Sequence, residues 1–317
     1  MKKIVVIGNS IVGVKALETI RSFDQESHLT IFALDGFYPY SQDFFIDYFL
    51  NKIKESKVFY QPKEFYEKNH INVILERQIS RVNFKKKRIF TEAKDQIDFD
   101  FLVIAETNQV RFSDIKGTAK TGVFTLRKFA DLKKMMLALP FVETVVIESS
   151  SSQGLCMAEA FKKKNIAVIV LLGKNQPTDA GTLQKLEENG IRVILNNSIV
   201  EILGDTEVKA IRLKSGKVLA GEMMIFTDSP PDLRIFTDTE LEMDQRILID
   251  SFLKTNVEGV FAFPPAARFK EEQLNTRDVT SIIQLEEAGK TIAANIRDQD
   301  FKDFKNSPCQ NKIYVLS

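Results

Sequence analysis

Apolar residues fall along this chain in short unbroken blocks separated by stretches of helical spacing. Ile4-Val5-Val6-Ile7 is the first block, the pattern of a parallel strand covered on both faces. A turn of mostly small residues follows at 8–13, and residues 14–23 carry Val14, Leu17 and Ile20 at helical spacing. A second apolar run occupies residues 29–34. Strand, turn, helix and strand within about 30 residues make a βαβ unit. The same order restarts downstream, with a strand at 144–147, a turn at 149–154, a helix at 155–164 and a strand at 167–172.

Further strands are predicted at 72–75, 79–83, 88–91, 101–105, 191–195, 199–203, 208–213, 223–227, 247–250 and 259–263. A turn with a short helix is predicted over 58–70, and longer helices over 183–189 and 281–297. The last has Ile282, Leu285, Ala288, Ile292 and Ala293 on one stripe. Because the second βαβ unit interrupts the first, the expected class is α/β, with two nested Rossmann-like domains. The first is discontinuous, 1–112 with 234–297; the second is inserted at 113–233; residues 298–317 form a polar tail.

Composition narrows the partners. Lysine plus arginine (44) nearly cancels aspartate plus glutamate (43), so neither a nucleic acid nor a membrane surface is expected as a partner. Lys85-Lys86-Lys87-Arg88 reads as a solvated hairpin turn. No apolar run approaches the roughly 18 residues of a membrane span. The run after Met1-Lys2-Lys3 stops at Gly8, too soon for a signal core, which leads to the expectation of a cytoplasmic protein. Two cysteines, Cys156 and Cys309, and two histidines, His28 and His70, give no metal-site spacing, so no metal is expected. Cys156, on the second unit's helix, reads as a small core residue.

The candidate chemistry sits in the first turn. Gly8-Asn9-Ser10-Ile11-Val12-Gly13 has the form Gly-x-Ser-x-x-Gly between a buried strand and a helix. Gly8 allows a tight turn, Ser10 is small, and Gly13 lets helix and strand approach, so backbone N–H groups can meet a pyrophosphate. Asp35, after the second strand, is suitably spaced to hold ribose hydroxyls. The cofactor-binding candidates are therefore Gly8, Ser10, Ile11, Val12, Gly13 and Asp35. A helix-start turn in an unrelated α/β protein is the competing reading.

Several segments resemble the pyridine nucleotide–disulfide oxidoreductases, especially the branch of NADH oxidases, rubredoxin reductases and nitrite reductase flavin modules. Lys3 to Ser10 with Gly13 and Ala16 is similar to that family's FAD-binding start, and Tyr38-Pro39-Tyr40-Ser41 to its next segment. Residues 99–105, 122–127, 154–160, 259–262 and 287–290 follow in the family's order. The resemblance implies FAD in the first domain, NAD(P)H in the second, and an FAD-dependent NAD(P)H oxidoreductase activity.

Departures from the family pattern cluster at functional positions. The second loop reads Ser149-Ser150-Ser151-Ser152-Gln153-Gly154, with Leu172 where an acid is expected and Cys156 where a glutamate is expected. NAD(P)H binding is therefore not expected; an alternative is that the serine hydroxyls, with Lys174 nearby, bind a different anion. Pro264-Pro265 replaces a Gly-Asp pair that meets the flavin ribitol, Gln42 replaces an arginine, and Glu106-Thr107 replaces Thr-Gly. FAD binding is expected to be weakened or lost at that end. No cysteine lies at 42–45, which excludes thiolate chemistry there, and catalytic residues stay unassigned.

Phe44, Phe45, Tyr48 and Phe49 suggest aromatics filling an emptied flavin pocket, or alternatively a docking patch. Little sequence follows residue 297 to build the family's C-terminal dimerisation domain, which is expected to be largely absent. The expected function is an FAD-dependent oxidoreductase-like protein exchanging electrons with a redox protein partner. The alternative is a non-catalytic relative that binds a nucleotide or a scaffold protein.

Overall fold

A computed structural model describes residues 1–33, 35–105, 112, 115–149, 151–173, 179–227, 231–270 and 282–298. In chain order the elements are β1 (Lys3–Ile7), α1 (Ile11–Phe23), β2 (His28–Ala33), α2 (Phe45–Phe49), α3 (Lys63–Lys68), β3 (Ile71–Leu75), β4 (Ile79–Asn83), β5 (Arg88–Thr91), β6 (Gln96–Asp98) and β7 (Phe101–Ile104). Then come β8 (Val123–Thr125), α4 (Phe129–Ala138), β9 (Thr144–Glu148), α5 (Ser152–Lys163), β10 (Ala167–Leu172), α6 (Ala180–Glu188), β11 (Arg192–Leu195), β12 (Ile199–Leu203), β13 (Ala210–Leu213), β14 (Val218–Ala220) and β15 (Met223–Phe226). The chain closes with β16 (Ile247–Ile249), β17 (Val260–Ala262), β18 (Ala267–Phe269) and α7 (Ile282–Asp298).

The chain divides into two compact units. The first comprises Met1–Ser41, Phe59–Gln109 and the described part of Pro231–Ser317. Its parallel sheet has the order β17-β7-β1-β2-β3, so connections leave β1 in opposite directions to β2 and β7. Such a reversal opens a crevice beyond the carboxyl end of β1. Beneath it, Ile4, Val6 and Ile7 are fully buried against Val14-, Leu17- and Ile20-bearing α1. Arg21, on the same helix, is buried yet satisfied: its guanidinium donates to the carbonyls of Asp24, Ser27 and Asn69 at 2.8–2.9 Å. α7 lies close on α1, because Gly289 has no side chain; a Cβ there would stand 2.6 Å from the Val12 carbonyl oxygen.

The second unit comprises Gln42–Val58 and Val110–Pro230. Its sheet, β11-β10-β9-β15-β8, is also parallel, and an antiparallel sheet β12-β13-β14 accompanies it. Helix α4 was not evident from periodicity, since Phe129, Leu132 and Met135 alone are buried on it between lysines. Segment 42–58 belongs to this unit although the chain on either side belongs to the other.

Candidate functional site

The first loop turns from β1 into α1 over six residues. Gly8 has φ 113°, a left-handed value that a side chain resists, and its N–H donates to the Phe32 carbonyl at 3.0 Å. Ser10 caps α1 with φ −78° and ψ 148°, and its Oγ accepts from the Val12 N–H at 3.2 Å. Ile11 and Val12 form the first turn, where the remaining N–H groups point out of the helix end. Gly13 meets Val6: an added Cβ would lie 2.4 Å from Val6 Cγ1. The loop therefore has the tight turn and the close helix–strand contact that the sequence suggests.

Asp35 stands in an unexpected register. Phe32 pairs with Ile7 in the first unit and Leu171 with Glu148 in the second, which makes Ala33 and Leu172 equivalent positions. Both are buried and apolar. Asp35 lies two residues further, with one carboxylate oxygen accepting from the Asn9 side-chain amide and the other from the Tyr40 hydroxyl, each at 2.6 Å. Asn9 and Tyr40 are both buried. Sequence reasoning passed over these two residues, although Asn9 occupies the second loop position and Tyr40 the Tyr-Pro-Tyr-Ser segment.

The same carboxyl edge of the first sheet receives Pro264, which is buried just after β17, and the half-buried Pro265. Their mutual peptide bond is cis. Neither residue has an N–H to offer a ligand. Glu106, Thr107, Ser150, Lys174 and Cys309 lie outside the described residues.

The second loop repeats the backbone plan with different donors engaged. Ser149, at the place of Gly8, donates its N–H to Leu171 O at 3.2 Å but makes its turn without a positive φ. Ser151, at the place of Ser10, has the same φ −78° and ψ 148°. Ser149 Oγ accepts from the Ser151 N–H at 3.1 Å, and Ser151 Oγ accepts from the Gly154 N–H at 3.2 Å. Gly154 remains glycine for a local reason: a Cβ there would fall 2.0 Å from Ser149 Oγ.

The aromatic segment packs into the core of the second unit. Phe45 and Phe49 are fully buried in the second unit, with ring centroids 5.8 Å from Phe129 and 4.7 Å from Phe161, respectively. Phe44 alone of the phenylalanines there stays exposed. Gln42 donates to the Arg127 carbonyl at 3.1 Å and accepts, through its own carbonyl, from Gln153. Glu55 accepts from Lys133 Nζ at 2.8 Å and from the Tyr48 hydroxyl at 2.9 Å. Burial, followed by this bond to Glu55, pushes the Tyr48 phenol up to about 12. Burial also opposes ionisation of Glu55, but the bonds from Lys133 and Tyr48 outweigh it and hold the carboxyl below its ordinary value.

Cys156 is exposed, not a core residue, because it falls on the outer face of α5. Desolvation and the nearby Glu159 push its thiol up, away from a reactive thiolate. Among the described residues no group of side chains could hold a metal ion, and no helix is long and apolar enough to cross a membrane.

Two parallel sheets, each with a capped loop-to-helix turn at the carboxyl end of its central strand, define a double dinucleotide-binding fold. The chain belongs to the family described as pyridine nucleotide-disulphide oxidoreductase, which matches residues 2–274. It is 21% identical over 324 residues to a nitrite reductase [NAD(P)H] of Bacillus subtilis (strain 168), covering 99% of this chain but only 40% of that protein. It is 26% identical over 275 residues to a rubredoxin-NAD(+) reductase of Ectopseudomonas oleovorans, covering 83% of this chain and 71% of the relative. A crystal structure of a ferredoxin reductase from Rhodopseudomonas palustris shares the fold at a TM-score of 0.82 and 17% identity, covering 96% of this chain and 78% of the other.

Proposed function

We propose that the chain is a flavin-dependent oxidoreductase whose first loop holds the adenosine diphosphate portion of FAD and whose second loop no longer takes NAD(P)H in the family's way. The observation that carries this reading is the contrast between the two loops. In the first, Gly8 makes the turn at positive φ and Ser10 occupies a single N–H, that of Val12. In the second, serine side chains engage the N–H groups of both Ser151 and Gly154, and the Ser149 side chain fills space beside Gly154. Backbone donors already bonded within the loop are poorer partners for a pyrophosphate.

Bound flavin would supply hydride and electron exchange, while the protein supplies position and electrostatics. Gly8, Ser10, Ile11, Val12 and Gly13 fit the phosphate end. Asp35, held by Asn9 and Tyr40, would offer a fixed acceptor to the ribose hydroxyls. Pro264-Pro265 fits the ribitol end poorly, since it brings neither a carboxylate nor a donor. With the nicotinamide route weakened, electrons would pass between the flavin and a protein partner. That a relative is named for rubredoxin, and that a similar structure is a covalent putidaredoxin reductase–putidaredoxin complex, supports this choice of partner.

The absorbance spectrum of the purified protein tests the proposal. A colourless or partly flavinated preparation that turns yellow with added FAD is expected. A stoichiometric yellow protein rapidly reduced by NADH would overturn the weakened-site reading. Failure to bind FAD or ADP at all would favour a second reading, a non-catalytic relative, for which Pro264-Pro265 is the supporting observation.

A further inference from the structure

The second unit carries a groove of about 440 Å³ at the amino ends of β9, β10 and β11, the sheet edge opposite the serine loop. Lys162, Arg192 and Lys217 line it, and no carboxylate does. None of the three forms an ion pair with a described residue. The neighbouring Glu222 is turned to the backbone, its Oε2 accepting the N–H groups of Glu143 and Thr144 at 3.2 and 2.9 Å. Some other cations of this chain do have partners, as Lys133 has Glu55 and Arg212 has Glu201.

Three like charges gathered without a counter-charge repel one another, and an anion placed among them relieves that repulsion. The groove is not merely a charged surface, because the exposed Val218 lines it above the buried Val168, Ile169 and Leu219. Its volume lies in the range of small-molecule sites, roughly 300–1,000 Å³. We infer that this groove binds a small amphipathic organic anion, with an apolar body against the exposed Val218 and the edges of Val168, Ile169 and Leu219, and its acidic group among Lys162, Arg192 and Lys217. The site is independent of the dinucleotide loops, which leave the opposite ends of their strands.

The test uses the full chain and three probes: 8-anilinonaphthalene-1-sulfonate, the neutral N-phenyl-1-naphthylamine with a similar aromatic body, and sodium sulfate. The anionic naphthalene is expected to bind saturably, with fluorescence enhancement. The neutral analogue and sulfate should each bind at least about tenfold more weakly. The double variant Lys162→Glu/Lys217→Glu should weaken the anionic probe by about tenfold or more, as should Arg192→Glu, with no change in melting temperature. Lys214→Glu, on the same hairpin but outside the groove, should leave binding unchanged. The proposal fails if the folded double variant binds the anionic probe as tightly as the native chain. It also fails if the neutral analogue matches the anion, or if Lys214→Glu weakens binding equally.

Discussion

The side-chain amide of Asn9 donates to the Asp35 carboxylate across 2.6 Å, joining the second residue of the first glycine loop to the segment after β2. Tyr40 completes the clamp on the other carboxylate oxygen. A residue with the spacing of a ribose acid is thus also a structural brace for the loop beside it.

Replacing Asn9 by aspartate should expose that brace. Two carboxylates would face each other where an amide now donates, at a position with no solvent exposure. Asn9→Asp should lose about 1–3 kcal/mol of stability at pH 7. Repulsion raises proton affinity in the folded pair above that of the unfolded chain, so the loss should shrink as pH falls toward 5. Thermal melts of both proteins at the two pH values measure this; an equal deficit at both would remove charge repulsion as the cause.

Gly13→Ala should cost about 1–3 kcal/mol, because its methyl would lie 2.4 Å from Val6 Cγ1. Adding Val6→Ala removes the obstructing atom. The double variant should therefore be more stable than the sum of the single losses predicts, with a coupling of about 1 kcal/mol in denaturant titrations.

NADH and NADPH should show no binding by calorimetry at sub-millimolar concentrations. Ser149→Gly with Ser151→Gly removes both hydroxyls that engage loop N–H groups, although it also removes the helix cap. Nucleotide affinity should increase in this variant while loss of the cap lowers stability by only a few tenths of a kcal/mol. A micromolar dissociation constant for the native chain would contradict the proposed loss.

The Glu55–Lys133 pair should help stability only where Glu55 is ionised. Its folded carboxyl sits below the ordinary 4.5, so the contribution is full above that value and fades as pH falls through the folded one. Both side chains are more than a third exposed, so solvent screening limits the coupling to below about 1 kcal/mol. A double-mutant cycle with Glu55→Gln and Lys133→Met should show coupling at pH 7 and none near pH 2.

Pro264→Gly with Pro265→Asp introduces a carboxylate and two backbone N–H donors at the carboxyl edge of the first sheet. FAD occupancy after purification should rise by about tenfold or more, since each recovered bond to a buried polar group contributes about 1–3 kcal/mol. Absorbance against protein concentration gives the ratio; unchanged occupancy would place the obstruction elsewhere.

Local sequence determined much of the architecture. The apolar blocks Ile4–Ile7 and Val145–Ile147, each followed by a small-residue turn and a helix, imply parallel strands because a strand covered on both faces needs unbroken apolar residues. The loop positions Gly8, Ser10 and Gly13 were legible for the same reason: turn, cap and close packing are properties of a few adjacent residues. What depended on partners distant in sequence was decided by the tertiary structure. Strand register shows Ala33, not Asp35, to be the counterpart of Leu172, and only folding brings Asn9 and Tyr40 to Asp35. Phe45 and Phe49 carry no mark of which core they enter until Phe129 and Phe161, more than 80 residues away, meet them. Lys162 at the end of α5, Arg192 at the start of β11 and Lys217 in the turn before β14 belong to three separate segments, and they share a groove only once the chain is folded.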